Sequence, residues 1–284
     1  MISFGPGGNS ESWGKRKFPQ DLPQYLKELG LNGYEVECGR GVRLSESAAA
    51  LPKLAEENGI CITLHAPYFI SLSSVEEEKR RNSVDYIVES ARAAKTVGAR
   101  KIVVHSGSCS KMSRAEACYL AKQTLKNAQA ALDANGLSDI IICPETMGKI
   151  NQLGTLEEVL ELCGTDERFL PTVDFGHLNA RTLGEIKSRG DYAKMLDMIE
   201  NALGHERLSR MHIHFSKIEY TGGGEKRHLT FADEVYGPRY EPLMEEIHAR
   251  GLEPSVICES AGTQAEDAAA MKRVYQEFKR GVPG

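Results

Sequence analysis

The chain has 284 residues, 41% of them hydrophobic and 26% charged, with a formal net charge of −5. That is too apolar for a disordered chain, and with no run of 18 apolar residues it offers no membrane-spanning helix. The mild acidity disfavours broad electrostatic adhesion to nucleic acid and leaves open a local basic groove.

Short apolar runs alternate with longer amphipathic stretches. The runs predict strands over 2–5, 33–38, 60–65, 101–105, 139–144, 169–174, 210–215 and 254–259, several rich in Ile and Val, as strands buried on both faces are. Between them, helical periodicity covers 22–29, 45–57, 75–97 and 113–134, stopped at or near Gly30, Gly59, Gly98 and Gly136. Ser113 with Glu116 three positions on reads as a capping box. Eight βα units in a chain of this size, with no Pro/Gly/Ser-rich linker, predict an α/β fold: a single (β/α)8 TIM barrel over 1–284. An open doubly wound sheet would want a glycine fingerprint after its first strand. Gly5-Pro6-Gly7-Gly8-Asn9-Ser10 lacks the third glycine and loses an N–H at Pro6, so it reads as a tight turn at the barrel mouth.

Residues 1–9 lack the layout of a signal peptide. The cysteines number seven, with no C-x-x-C pair. Cys38, Cys61, Cys109, Cys143 and Cys258 lie in or beside the apolar runs. Reduced, buried thiols in a cytoplasmic protein are the simplest reading.

The chemistry lies at the strand ends. His65, His105, Glu145, Asp174, His212 and Glu259 fall at the predicted C-terminal ends of strands three to eight, where barrel active sites are built. His177 follows Asp174 by three residues, and His228 lies in the long connection after strand seven. Singly, each has a structural reading: a hydrogen-bonded imidazole, a buried ion pair, or a helix cap at Asp174. Together, three carboxylates among imidazoles would be very costly to bury without compensating charge. Divalent cations remove that cost, and the mixed N/O donor set favours zinc, with manganese or iron as alternatives.

His65-Ala-Pro-Tyr68-Phe69, Val104-His105-Ser-Gly107-Ser108, Pro144-Glu145-Thr146, Asp174-Phe-Gly-His177, Met211-His212-Ile, Lys226-Arg227-His228 and Cys258-Glu259-Ser260 occur in this order. In that series the chain resembles the endonuclease IV family of apurinic/apyrimidinic endonucleases, and looks closer to its shorter branch, in the xylose isomerase-like superfamily. The resemblance implies a three-zinc centre that cleaves DNA on the 5′ side of an abasic site and trims blocked 3′ ends, with double-stranded DNA as partner. It implies that Glu145 bridges two metals, that His65 and His105 complete one site, and that Asp174, His212 and Glu259 complete the second. His177 and His228 would hold the third, with Glu145 and Glu259 the catalytic carboxylates. Tyr68 and Phe69 match the loop that the family inserts at the lesion, where an aromatic can fill the space of a missing base, and their other reading is packing at the barrel rim. Arg40 would contact the phosphates or intrude into the stack, whereas Arg43 reads as a surface charge.

Two departures stand out. Lys226 occupies the place of an aspartate ligand, and the strand-seven motif reads His212-Ile213-His214-Phe215. Alternation puts His212 and His214 on one side of the strand, so His214 or Glu225 is available to complete the third site. Lys149, Lys217, Lys226 and Arg227 lie on the same predicted face and would make its groove locally positive. Two alternatives share the fold: a divalent-metal-dependent sugar isomerase or epimerase, and a DNA-lesion binder whose altered third site has lost hydrolysis. A monomer is expected.

Overall fold

A computed structural model of the chain describes residues 1–281. The apolar runs form strands within a few residues of their expected bounds: β1 (Ser3–Pro6), β2 (Gly33–Glu37), β3 (Cys61–His65), β4 (Lys101–His105), β5 (Ile141–Glu145), β6 (Thr172–Asp174) and β7 (His212–Phe215). After β7 the chain makes an antiparallel hairpin, β8 (Lys217–Thr221) and β9 (Gly224–Leu229), before β10 (Ser255–Cys258). β1 to β7 and β10 form one eight-stranded sheet in the order β1-β10-β7-β6-β5-β4-β3-β2, and its recorded pairings are parallel. The sheet curls into a barrel whose seam, between β1 and β2, rests on one parallel bridge from Gly7 to Glu35. Glycine is required at this seam, because a Cβ on Gly5 would lie 1.9 Å from the Gly33 carbonyl oxygen.

Ten helices among the described residues carry the chain from strand to strand: α1 (Leu22–Glu28), α2 (Leu51–Asn58), α3 (Glu77–Val97), α4 (Arg114–Ala134), α5 (Leu156–Cys163), α6 (Phe175–Arg181), α7 (Arg189–Leu203), α8 (His205–Ser209), α9 (Glu241–Ala249) and α10 (Gln264–Lys279). The stretch read as one helix over 45–57 splits into a 3-10 turn and α2, because Pro52 has no N–H to continue the ladder. Gly59 and Gly98 end α2 and α3 with φ of 64° and 78°. The Ser113–Glu116 capping box at α4 is formed in both directions. No described helix is long and apolar enough to cross a membrane. All seven cysteines are free; six are buried, while Cys61 is exposed at the start of β3.

Period-two alternation divides each strand between two environments. Phe4, Val36, Leu64, Val104, Ile142, Val173, Ile213 and Val256 point outward into the apolar layer beneath the helices, and all are buried. The inward positions are polar in the upper half of the barrel: Glu35, Thr63, His65, Glu145, Thr172, Asp174, His212 and His214 are all buried there. Register sets their depth. Thr172 lies beside His212, and Asp174 beside His214.

Candidate metal centre

Glu145, the last residue of β5, is the hub. Its Oε2 lies 3.4 Å from His65 Nε2 and 3.3 Å from His105 Nε2. Its Oε1 lies 3.0 Å from His214 Nδ1 and 3.4 Å from His177 Nδ1. Among the groups of donor atoms close enough to share a cation, three lie on or beside it: His65, His105 and Glu145; Glu145, Asp174, His214 and Glu259; and His177, Glu225 and His228, while Glu35, His212 and His214 form another deeper in the barrel and His65, His214 and Glu259 overlap the first two. The second ring nitrogens are held from behind. His65 Nδ1 donates to the Ala66 carbonyl at 2.7 Å, His177 Nδ1 to the Thr146 carbonyl at 3.0 Å, and His228 Nδ1 sits 2.9 Å from Ser216 Oγ.

The donor set fits divalent cations. Asp174 caps α6, its Oδ1 accepting from the His177 N–H at 2.7 Å. Its Oδ2 and Glu145 Oε2 are buried and receive no hydrogen bond, an unfavourable condition for carboxylate oxygens unless a cation meets them. Burial pushes the Glu259 carboxyl up to about 8, with Glu145, Asp174 and Glu37 adding to the effect and His214 opposing it. For Glu145, burial works in the same direction but His214, His105 and His177 outweigh it and hold the carboxyl well below its ordinary value. Burial opposes protonation of His65, yet Glu145, Glu37 and Glu35 prevail and raise it to about 10. The centre holds excess negative charge that attracts protons in the absence of metal.

His212 opens β7 instead of closing it. It lies one layer deeper than expected, with Nε2 3.0 Å from Glu35 Oε2, and burial pushes its imidazole down to about 4. His214, two residues up the same face, stands beside Asp174, Glu145 and Glu259, in the place expected for His212. Glu225 joins His177 and His228, with its Oε2 3.6 Å from His177 Nε2. Lys226, in the place of the expected aspartate, faces away and pairs with Glu219 at 2.6 Å, as does Arg227. Lys217 is tied to the Phe231 and Asp233 carbonyls. Of the four cations expected to make the groove positive, Lys149 lines the cleft over the centre, a cavity of about 480 Å3.

Tyr68 and Phe69 stand at the rim, 53% and 51% exposed, so neither is a core residue. The Tyr68 ring stacks on His105 at 5.3 Å, and Phe69 packs edge-on against Tyr86. Arg40 and Arg43 line an adjoining cavity of about 510 Å3 that shares Tyr68, His228 and Glu259 with the first. Sequence reasoning does not single out Glu35 as a site residue. The strand runs through it to Glu37, and inward parity at that position was the available signal.

A family model described as a xylose isomerase-like TIM barrel matches residues 23–277. An uncharacterized protein of Methanocaldococcus jannaschii is 34% identical over 253 residues, covering 89% of this chain and 90% of the relative. A probable endonuclease 4 of Acholeplasma laidlawii is 28% identical over 209 residues, covering 72% of this chain and 68% of the relative. Among solved structures, a D-tagatose 3-epimerase-like protein superposes with a TM-score of 0.69 at 21% identity, covering 91% of this chain and 92% of the other. Endonuclease IV from Thermus thermophilus superposes with a TM-score of 0.65 at 20% identity, covering 92% and 93%. At those identities the two structures speak for the fold alone.

Proposed function

The chain belongs to the xylose isomerase-like TIM barrel family, and from that premise we propose that it is a zinc-dependent apurinic/apyrimidinic endonuclease, hydrolysing DNA on the 5′ side of an abasic site in base excision repair. The observation that carries this reading is the trio of His177, Glu225 and His228 beside the clusters built on Glu145. One four-donor cluster would serve a sugar isomerase or epimerase, whereas three adjoining clusters suit a phosphodiester, whose attacking oxygen, leaving oxygen and non-bridging oxygens all need charge compensation. The similarity to a probable endonuclease 4 supports the same class.

In this reading His65, His105 and Glu145 would hold one cation, Glu145, Asp174, His214 and Glu259 a second, and His177, Glu225 and His228 a third. When bound, zinc supplies Lewis acidity, lowering the pKa of water and neutralising charge that develops on phosphoryl oxygens. Glu145 would serve both of the first two clusters, its Oε2 facing His65 and His105 and its Oε1 facing His214. Glu259 faces His214 Nδ1 across 3.5 Å and closes the second cluster. Lys149 offers a counter-charge to phosphate inside the cleft, and Arg40 does so in the adjoining one. The half-exposed rings of Tyr68 and Phe69 offer a stacking surface at a gap in the duplex.

The test is a duplex carrying a tetrahydrofuran abasic mimic. Incision on its 5′ side, abolished by chelator and by Glu145→Gln, is the expected result. Tight binding without incision would make the protein a lesion binder. Inertness toward DNA with turnover of a ketose panel would move the reading to a sugar isomerase or epimerase.

A further inference from the structure

Glu35 is a carboxylate in the barrel lumen with no exposure to solvent. Each of its oxygens is engaged. Oε2 accepts from Thr63 Oγ1 at 2.7 Å, across the β2–β3 register, and lies 3.0 Å from His212 Nε2. Oε1 lies 2.8 Å from His214 Nε2. His214 is thereby gripped at both nitrogens, with Nε2 on Glu35 and Nδ1 facing Glu145 at 3.0 Å and Glu259 at 3.5 Å. This differs from His65 and His228, which rest their second nitrogen on the neutral oxygens of Ala66 and Ser216, and from His177, whose Nδ1 bonds the Thr146 carbonyl at 3.0 Å with carboxylate oxygens of Asp174 and Glu145 at 3.3 and 3.4 Å.

We infer that Glu35 is a positioning residue for the second cluster: it accepts the Nε2 proton of His214 and so turns the Nδ1 lone pair toward Glu145, Asp174 and Glu259. An imidazole carries one proton when neutral, and a carboxylate behind one nitrogen fixes which nitrogen keeps it. The negative charge also makes that ring a stronger donor than a carbonyl or hydroxyl partner would, and removing such a partner weakens metal affinity about 10–100-fold. His212 Nε2 also lies 3.1 Å from His214 Nε2. It occupies the other Glu35 oxygen with Thr63 and keeps the carboxylate from rotating away from His214. This inference rests on reading the Glu145–Asp174–His214–Glu259 cluster as a metal centre and is independent of whether DNA is the substrate.

The test compares the parent protein with Glu35→Gln, which keeps the shape and one acceptor, and Glu35→Met, which removes the acceptor. Zinc affinity is read by competition with a chromophoric chelator, and the protonated nitrogen of His214 by 15N spectra of histidine-labelled, zinc-loaded protein. The expected result is an affinity lower by about 10–100-fold in Glu35→Met, a smaller loss in Glu35→Gln, and loss of the hydrogen-bonded His214 Nε2–H signal in Glu35→Met. His212→Ala should weaken that signal, since the carboxylate is then free to turn, and keep the zinc count. Near-UV circular dichroism establishes folding, and the isosteric Glu35→Gln carries the test where Glu35→Met does not fold. Parent-like zinc affinity in the folded variants overturns the inference. So does loss of one zinc in His212→Ala, which would make Glu35, His212 and His214 an ion site of their own. Zinc affinity that depends on Glu35 in a protein inert toward DNA would uphold the positioning role and remove the nuclease reading; the reverse pair of results would do the opposite.

Discussion

Glu225 and His228 stand three residues apart on one strand and share one cluster, although simple alternation would place them on opposite faces. The pairing explains it. Glu219 lies opposite Arg227 and Tyr220 opposite Glu225, so Lys226 is an extra residue, a bulge that resets the parity of β9. Lys226 is therefore a spacer, and the residue before it supplies the carboxylate.

Deleting Lys226 should remove the bulge yet leave Glu225 opposite Tyr220 and two positions from His228, so both stay on the face of the cluster. Elemental analysis of the dialysed protein should then find the parent's metal count, as in Lys226→Ala, whereas Glu225→Ala should lose one metal ion per chain. A folded Glu225→Ala variant with the parent's metal count would remove Glu225 from the donor set.

Gly39 makes room for Tyr68. A Cβ there would lie 2.2 Å from the Tyr68 ring, and the Gly39 carbonyl accepts the Tyr68 N–H at 3.0 Å. Gly39→Ala should dislodge the ring and reproduce Tyr68→Ala, weakening binding of an abasic duplex by about 1–3 kcal/mol, the scale of one stacked base. Tyr68→Phe, which loses only the 3.3 Å bond to Glu37, should bind like the parent. Fluorescence anisotropy reads all three, and parent-like affinity in Tyr68→Ala would remove the ring from the interface.

Arg181, at the end of α6, donates to four carbonyls of the loop that carries Lys149: Met147 and Lys149 through one nitrogen, Ile150 and Gln152 through the other, at 2.8–3.0 Å. The same loop bridges to Gly224 of the hairpin. Arg181→Ala should destabilise the protein by about 1–3 kcal/mol in urea unfolding, because it strands the Met147 carbonyl, while that of Lys149 keeps the Gln152 N–H and those of Ile150 and Gln152 keep Arg114. Arg181→Lys should recover little, since an ammonium cannot copy the guanidinium fork. A loss below about 0.5 kcal/mol, the level of an ordinary surface change, would refute the clamp.

Burial would raise the Glu158 carboxyl, but two bonds from Arg114 and the N–H groups of Gly154 and Thr155 outweigh it and lower it below its ordinary value. A depressed folded pKa stabilises fully above the unfolded value of about 4.3 and is lost as pH falls through the folded one. The stability gap between parent and Glu158→Gln should stay constant between about pH 6 and pH 8 and close on acidification below about pH 4. A gap that widens in acid would contradict the assignment.

The strands and helix stops were legible in the sequence because buried parallel strands read as apolar runs and glycine marks the αL cap. What period two leaves open is depth. His212 and His214 share a face, and only the register against β6 says which one meets Asp174. The hairpin escaped because residues 217–229 carry no long apolar run, although Gly222-Gly223 between two short polar stretches was a turn signal. With the hairpin unread, the bulge was unreadable too, although Glu225 was already a candidate for the third site by its proximity to His228. Glu35 was obscured by its charge, since a carboxylate inside a strand is read outward unless its partners are known.

β1 takes its ladder from β10, with Ser3 beside Ser255, so chain growth governs when the wall can close. A nascent chain exposes the open edge of β1 while some 250 further residues are made. Glu259 follows β10 directly and arrives with the strand that closes the ring. The second cluster and the barrel wall are thus completed in the same late step of synthesis, and a partly made chain lacks the fourth donor of that cluster.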